Sequence, residues 1–190
     1  MARHFKILSK EQLASSIKRI VVASSLIAEK AQAGQFVILR VDKKGERFPL
    51  TIVDWDRERG TITLIFQEVG ASTIKLGKLN VGDCIEDMVG PLGNQTEIEK
   101  YGEIVIIGGG VGTALIYPWV RALKQSENRI ITIIGARTAE LLLLEEELQT
   151  FSDELYISTD DGSKGFKGFT ADVLKNLLEK GKKIDLVMAA

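Results

Sequence analysis

Up to about residue 94, apolar positions come in short or alternating runs separated by turn residues. "FKIL", "IKRIVV" (17–22), "QFVILRV" (35–41), "LTIVDW" (50–55) and "TITLIF" (61–66) are divided by "AQAG", "DKKGE", "DRERG" and "NVGD". Period-two runs at this spacing predict a small antiparallel barrel or sandwich. Within "KEQLASSIKRI" the β-branched run that follows favours a strand with a loop ahead of it over a helix.

From about residue 103 the period changes. "EIVIIG" precedes the apolar-faced "ALIYPWVRALKQ", "RIITIIGA" precedes "TAELLLLEEELQTF", "ELYIST" precedes "TADVLKNLLEKG", and "KIDLVMAA" closes the sequence. Strands alternating with helices predict a parallel sheet covered on its faces. The fold class expected is therefore β followed by α/β, with a barrel domain over 1–97, a nucleotide-binding domain over 98–190, and a junction near "GPLGNQTEIEKYGE". Pro118 lies a few residues into its helix, so the regular helix is expected to start late. The pattern stops in mid-unit at Ala190, which reads as a truncated chain or a split gene product with part of its ligand site elsewhere.

Composition narrows the chemistry. Across 190 residues, 45% are hydrophobic and 27% charged, and the net charge of −1 gives no electrostatic pull toward nucleic acid. No apolar run approaches the ~20 residues that span a bilayer, and "MARHFKILSKEQLASS" lacks a signal-peptide core, so a cytoplasmic protein with no membrane partner is expected. One cysteine (Cys84) and one histidine (His4) make neither a metal cluster nor a serine-histidine triad. Redox chemistry here must use a borrowed cofactor.

"IVIIGGGVGTALIYP" (104–118) places a glycine turn between a strand and a helix, where backbone amides and the helix dipole favour a phosphate. Its spacing misses the GxGxxG fingerprint, and a tight packing turn is the plainer alternative. The next strand ends in "GART", without the usual ribose-binding acid. Arg137 there pairs with a 2′-phosphate, stacks on adenine, or is simply exposed. Asp160 and Asp161 in "STDDGSKGFKG" either accept from ribose hydroxyls or cap the next helix. In "GERFPLTI" (45–52) alternation sends Arg47, Pro49 and Thr51 to one face. In "FQEVGASTIKL" (66–76) small residues and two hydroxyls at a helix start make either a second anion site or an ordinary capped turn.

Arg-x-Pro-x-Thr in a barrel, a Gly-x-x-Thr turn, "VGPLGN" and "GGGVG" occur in that order, and the chain resembles the ferredoxin reductase-like flavoproteins. Within them it is similar to the small subunits of NADH-dependent ferredoxin:NADP oxidoreductases, also called sulfide dehydrogenases, across nearly its whole length. That resemblance implies an FAD-dependent oxidoreductase subunit that moves hydride between NAD(H) or NADP(H) and the flavin. Its implied partners are ferredoxin and a larger flavin and iron-sulfur subunit. It implies that Arg47 pairs with the FAD pyrophosphate and that Pro49, Leu50 and Thr51 line the ring edge, with the Thr51 hydroxyl beside the reactive nitrogen as the catalytic contact. Val69, Gly70, Ser72 and Thr73 would sit at the FAD phosphates. Gly109, Gly110, Val111, Gly112 and Thr113 would face the nicotinamide nucleotide, with Arg137, Asp160 and Asp161 nearby. Two departures are visible: Ser72 stands where the wider superfamily often has glycine, and the family's cysteine cluster for a [2Fe-2S] centre has no ligands in this chain. Two rival readings are the electron-transfer subunit of dihydroorotate dehydrogenase, from which "TEIEKYG" and "IYP" lean away, and a flavin-binding docking module without turnover.

Overall fold

A computed structural model describes residues 5–190, so His4 lies outside the described residues. The chain divides into two compact units, with the division between Thr96 and Glu97.

The first unit is an antiparallel sheet of seven strands: β1 (Phe5–Ala14), β2 (Ile17–Ala23), β3 (Phe36–Arg40), β4 (Phe48–Asp56), β5 (Thr61–Gln67), β6 (Cys84–Ile85) and β7 (Asp87–Leu92). Their order is β6-β1-β2-β5-β4-β3-β7. The two edge strands are separated in sequence by Glu86 alone. Residues 84–85 pair with β1 and residues 87–92 with β3, so one bent segment joins both edges and nearly closes the barrel. Alternation fills the interior: Val37 and Leu39 point in from β3, Ile52 from β4, and Ile62, Leu64 and Phe66 from β5, all buried. Leu76 of helix α2 (Ala71–Lys78) plugs the same core, as do Ile27 and Ala28 of the short helix α1 (Ser25–Lys30).

The loop expected ahead of β2 is mostly strand. β1 continues to Ala14, leaving only Ser15 and Ser16 as the turn. Its polar run "KEQL" is hairpin with Glu11 and Gln12 exposed and Lys10 and Leu13 half-buried, tied across the strands where Glu11 opposes and pairs with Arg19 at 2.7 Å. With a lysine and a leucine at its half-buried positions and two exposed polar residues between them, the run carries no period-two signal to read.

The second unit is a parallel sheet of β8 (Glu103–Gly109), β9 (Arg129–Ala136), β10 (Glu154–Thr159), β11 (Phe166–Lys167) and β12 (Leu186–Ala189), in the order β11-β10-β9-β8-β12. Helices α3 (Gly112–Gln125), α4 (Glu145–Phe151) and α5 (Thr170–Glu179) make the crossovers. Ile104, Val105, Ile106, Ile130, Ile131, Ile133 and Ile134 are buried on both sheet faces, as covered parallel strands require. Winding reverses at β8, flanked by β9 and β12, which opens a switch point at their carboxyl ends. No helix among the described residues is long and apolar enough to cross a membrane.

Two expectations need correction. α3 starts at Gly112 rather than late, with Pro118 buried inside it; the proline forgoes one backbone bond and fills the helix-sheet interface instead. "TAELLLLEEELQTF" is not one helix but a 3-10 turn (Ala139–Leu141) followed by α4, which begins after Leu144 in a left-handed conformation (φ 55°). Leu143 and Leu144 are both buried, and neighbours 100° apart on a helix do not share one face, so the backbone breaks to bury both. Glu145–Glu147 then favour a fresh helix start.

The amino-terminal edge of this sheet is stitched by charge. Arg129 pairs with Glu154 at 2.8 Å and with Glu103 at 3.4 Å, and Lys182 bridges the same two carboxylates. Hydrogen bonds from Lys182, then Arg129 and the Tyr156 hydroxyl, hold the Glu154 carboxyl at about 2, against an ordinary 4.5. A pKa lowered by folding stabilises the fold above the unfolded value, and that contribution fades as protons bind. The Glu154 contribution is therefore complete above about pH 4.5 and lost as pH falls toward 2. Glu154→Gln is expected to flatten the fall in thermal midpoint between pH 5 and 2, the window about those two values, in scans of both proteins.

Candidate functional site

The barrel presents a built outer face on β3, β4 and β7. Because Val37 and Leu39 point inward, Phe36, Ile38 and Arg40 point out. Registration aligns Phe36 with Thr51 and Leu92, Ile38 with Pro49 and Val89, and Arg40 with Asp87. Two largely apolar rows thus end in a charged one. There Arg47 donates to Asp87 Oδ2 at 2.6 Å, while Arg40 Nη2 lies 3.8 Å from the same oxygen. Two guanidinium groups share one carboxylate, which leaves a net positive charge. Arg40 Nε is buried without a hydrogen-bond partner. Such a row suits an anion, and the apolar rows suit a flat ring. Gly93 (φ 82°) crosses the Phe36 ring so closely that an added Cβ would lie 2.8 Å from it.

Arg47, Pro49 and Thr51 share this face. Leu50 does not: its side chain packs into the barrel core, so only its backbone faces the platform. β5 runs antiparallel to β4, so α2 begins at the barrel end where Arg47 enters, and Lys75 of α2 pairs with Asp42 in the β3–β4 loop. Gly70 caps α2, and a Cβ there would meet nothing within 4 Å. The Thr73 hydroxyl accepts from the amides of Val69 and Gly70, both at 3.1 Å, and donates to the Gly70 carbonyl, so it builds the helix start. Val69 is three-quarters exposed beside it. The amides of Ala71 and Ser72 belong to the first turn, which offers them no intrahelical acceptor.

On the sheet unit, a cleft of about 290 Å³ opens at the carboxyl ends of β8, β9 and β10. It brings together Gly109, Gly110, Arg137 and Asp160. Gly110 (φ 53°) donates its amide to the Gly135 carbonyl at 2.8 Å, tying the glycine turn to the end of β9. Val111 and Gly112 open α3 with first-turn amides. Thr113 is buried, and its Cα lies 2.8 Å from where a Cβ on Gly108 would stand. It therefore serves the packing of helix on strand and does not line the cleft.

The paired aspartates have separate tasks. Asp160 lines the cleft. Asp161 accepts from the Ser163 amide at 2.9 Å and hydroxyl at 2.6 Å, which hold its carboxyl below the usual range. Ser163 in turn accepts from the Ala139 amide, and Thr159 Oγ1 donates to the Lys164 carbonyl, so the 159–168 loop is pinned at several points. Arg137 is exposed and forms no ion pair among the described residues. Sequence reasoning did not single out Gly135, Ala136, Ser158, Phe169 or Thr170, which also line the cleft. Phe169, two-thirds exposed, carried the one usable signal: an aromatic left in a glycine-rich loop just before a helix.

Comparison with known proteins gives these two surfaces a lineage. A Thermotoga maritima protein described as a dihydroorotate dehydrogenase B (NAD(+)) electron transfer subunit homolog is 41% identical over 184 residues, covering 97% of this chain and 64% of its own. The dihydroorotate dehydrogenase B (NAD(+)) electron transfer subunit of Bacillus cereus is 30% identical, over 90% of this chain and 67% of its own. A solved structure of an NADH-dependent reduced ferredoxin-NADP oxidoreductase superposes with a TM-score of 0.92 at 39% identity, over all of this chain and 68% of that one. The chain belongs to the ferredoxin reductase-like electron transfer subunits. It spans about 64% of the length of the Thermotoga relative. No family model matches it.

In this family member the cleft depends on a glycine at 135. An added Cβ would lie 2.5 Å from Thr170 Cγ2 and 2.9 Å from Ser158 Oγ, wedging β9 from α5 and β10. Gly135→Ala is expected to cost about 1–3 kcal/mol in chemical denaturation of the sheet unit.

Proposed function

We propose that this chain binds FAD on the outer face of the barrel and a nicotinamide nucleotide at the carboxyl edge of the parallel sheet. On this reading it serves as the nucleotide-side subunit of a larger electron-transfer oxidoreductase. The observation that carries the reading is the β3–β4–β7 platform, whose apolar rows end in Arg40 and Arg47 around the single carboxylate of Asp87. The chemistry a bound flavin supplies is acceptance of hydride from reduced nicotinamide and onward release of electrons one at a time.

The chain's own residues bind and orient. Arg47 and Arg40 neutralise the pyrophosphate, with Asp87 holding them in place. Phe36, Ile38, Pro49 and Val89 exclude water from one side of a flat ring, and the Thr51 hydroxyl offers a hydrogen bond at the ring edge. Gly70, Ser72 and Thr73, next to Val69, form the phosphate-facing start of α2. On the sheet, the glycine turn approaches the second pyrophosphate through the first-turn amides of Val111 and Gly112, with Gly109 and Gly110 allowing the close approach and Thr113 packing the helix behind them. Asp160 accepts from ribose hydroxyls, and Arg137 meets the adenosine end. Asp161 keeps the loop in shape. No acid-base pair is needed, since positioning does most of the work in hydride transfer.

The partner on this reading is a larger flavin and iron-sulfur subunit that passes electrons to or from ferredoxin, in the cytoplasm. The Thermotoga and Bacillus relatives favour a second reading in which the partner oxidises dihydroorotate. Both readings use the same two surfaces in this chain, and the partner protein that supports turnover separates them.

The purified protein is expected to be yellow and to release FAD on denaturation. Arg47→Ala removes a charge-assisted contact of about 1.5–3 kcal/mol, so FAD is expected to bind roughly ten- to a hundredfold more weakly in fluorescence titration. A wild-type protein that takes up no added FAD, or an Arg47→Ala variant with unchanged affinity, overturns the flavin assignment. Anaerobic addition of NADH or NADPH is expected to bleach the flavin band, and the faster nucleotide identifies the donor.

A further inference from the structure

We propose that Lys10, Lys18 and Glu68 are positioning residues for the flavin site, setting where the start of α2 meets the cofactor's phosphates; the inference rests on the flavin reading above. α2 is eight residues long and hangs between β5 and β6, held by side chains rather than by sheet pairing. Its roll is fixed by Leu76, buried in the barrel core. Its far end is gripped by two lysines from the β1–β2 hairpin. Lys10 Nζ donates to the carbonyls of Gly77 (2.7 Å) and Leu79 (2.6 Å). Lys18 Nζ donates to the same Gly77 carbonyl (3.0 Å) and to Glu68 Oε1 (2.8 Å).

A lysine near a helix carboxyl end is by itself ordinary capping. Two features take this arrangement further. Strands β1 and β2 each send a lysine to one carbonyl, so two points of the barrel wall fix the helix end. Glu68, which immediately precedes the turn into α2, reaches back to Gly77 so closely that a Cβ there would overlap its carboxylate. Entry and exit of the helix are thus tied through Glu68 and Lys18, whose side chains are only 19% and 15% exposed. Binding groups work when held within about 0.5 Å of their productive place, and this clamp supplies that hold for Gly70, Ser72 and Thr73. Both ammonium groups also sit at the negative end of the helix dipole.

The test is titration of wild type, the Lys10→Met/Lys18→Met double variant, Lys18→Arg and Arg47→Ala with FAD and with riboflavin, which carries no phosphate, alongside thermal unfolding. The double variant is expected to bind FAD about tenfold more weakly, with riboflavin affinity unchanged and Lys18→Arg close to wild type. Should the double variant not fold, Lys10→Met alone keeps the Lys18–Glu68 pair and reads the same FAD-to-riboflavin ratio. FAD affinity unchanged, or FAD and riboflavin weakened in step, overturns the proposal. If Arg47→Ala loses FAD while the lysine variants do not, the flavin reading stands and the clamp falls. A wild-type protein that binds no FAD overturns both.

Discussion

Glu86 is where one strand changes partners, and the barrel's chemistry depends on that change. Before it, Cys84 and Ile85 pair with β1; after it, Asp87 to Leu92 pair with β3. An open antiparallel sheet would expose two edges to aggregation, and joining them through a single residue removes most of that hazard. The same change of partner sets the register of β7 against β3, which places Asp87 beside Arg40 and within 2.6 Å of Arg47. Val89 follows in the same register and Leu92 after a one-residue bulge, and together they complete the apolar rows. Shape and charge of the platform are thus consequences of closure.

The sheet unit reaches its site by another route, through close approach. Gly108 admits the backbone of α3 and Gly135 admits Thr170, so helices pack near enough to β8 and β9 for a cleft to form at the strand ends. Gly110 takes the left-handed conformation that turns the chain from strand to helix and gives its amide to β9. Packing alone accounts for Gly108 and Gly135, and the resulting glycine spacing differs from that of the dinucleotide fingerprint.

The architecture was legible because its period changes so sharply near residue 100: alternating runs before it and βα units after it. What escaped was local. The β1 extension half-buries a lysine and so reads as polar loop, while the break at Leu144 arises from tertiary burial of adjacent leucines that no helical period records. Arg47, Pro49 and Thr51 were found to share a face because strand alternation is a strong rule. The placement of Leu50 in the core follows from the same rule, yet motif reasoning set it aside. Asp160 and Asp161 were indistinguishable as letters, and only the hydrogen bonds from Ser163 separate them. Lys10 and Lys18 gave no signal at all, since each lies over fifty residues from the carbonyl it holds.

The shared carboxylate of Asp87 has one further effect, on the entropy of recognition. A free arginine must surrender several rotatable bonds when it grasps a ligand, a loss on the order of 0.5–1.5 kcal/mol per side chain. Here Asp87 already holds Arg47, and lies near Arg40, before any ligand arrives. Most of that disorder is given up during folding, so an incoming anion meets donors already facing it. Closure of the barrel at β7 thus also sets the order of this basic row, because the carboxylate that holds Arg47 arrives with that strand.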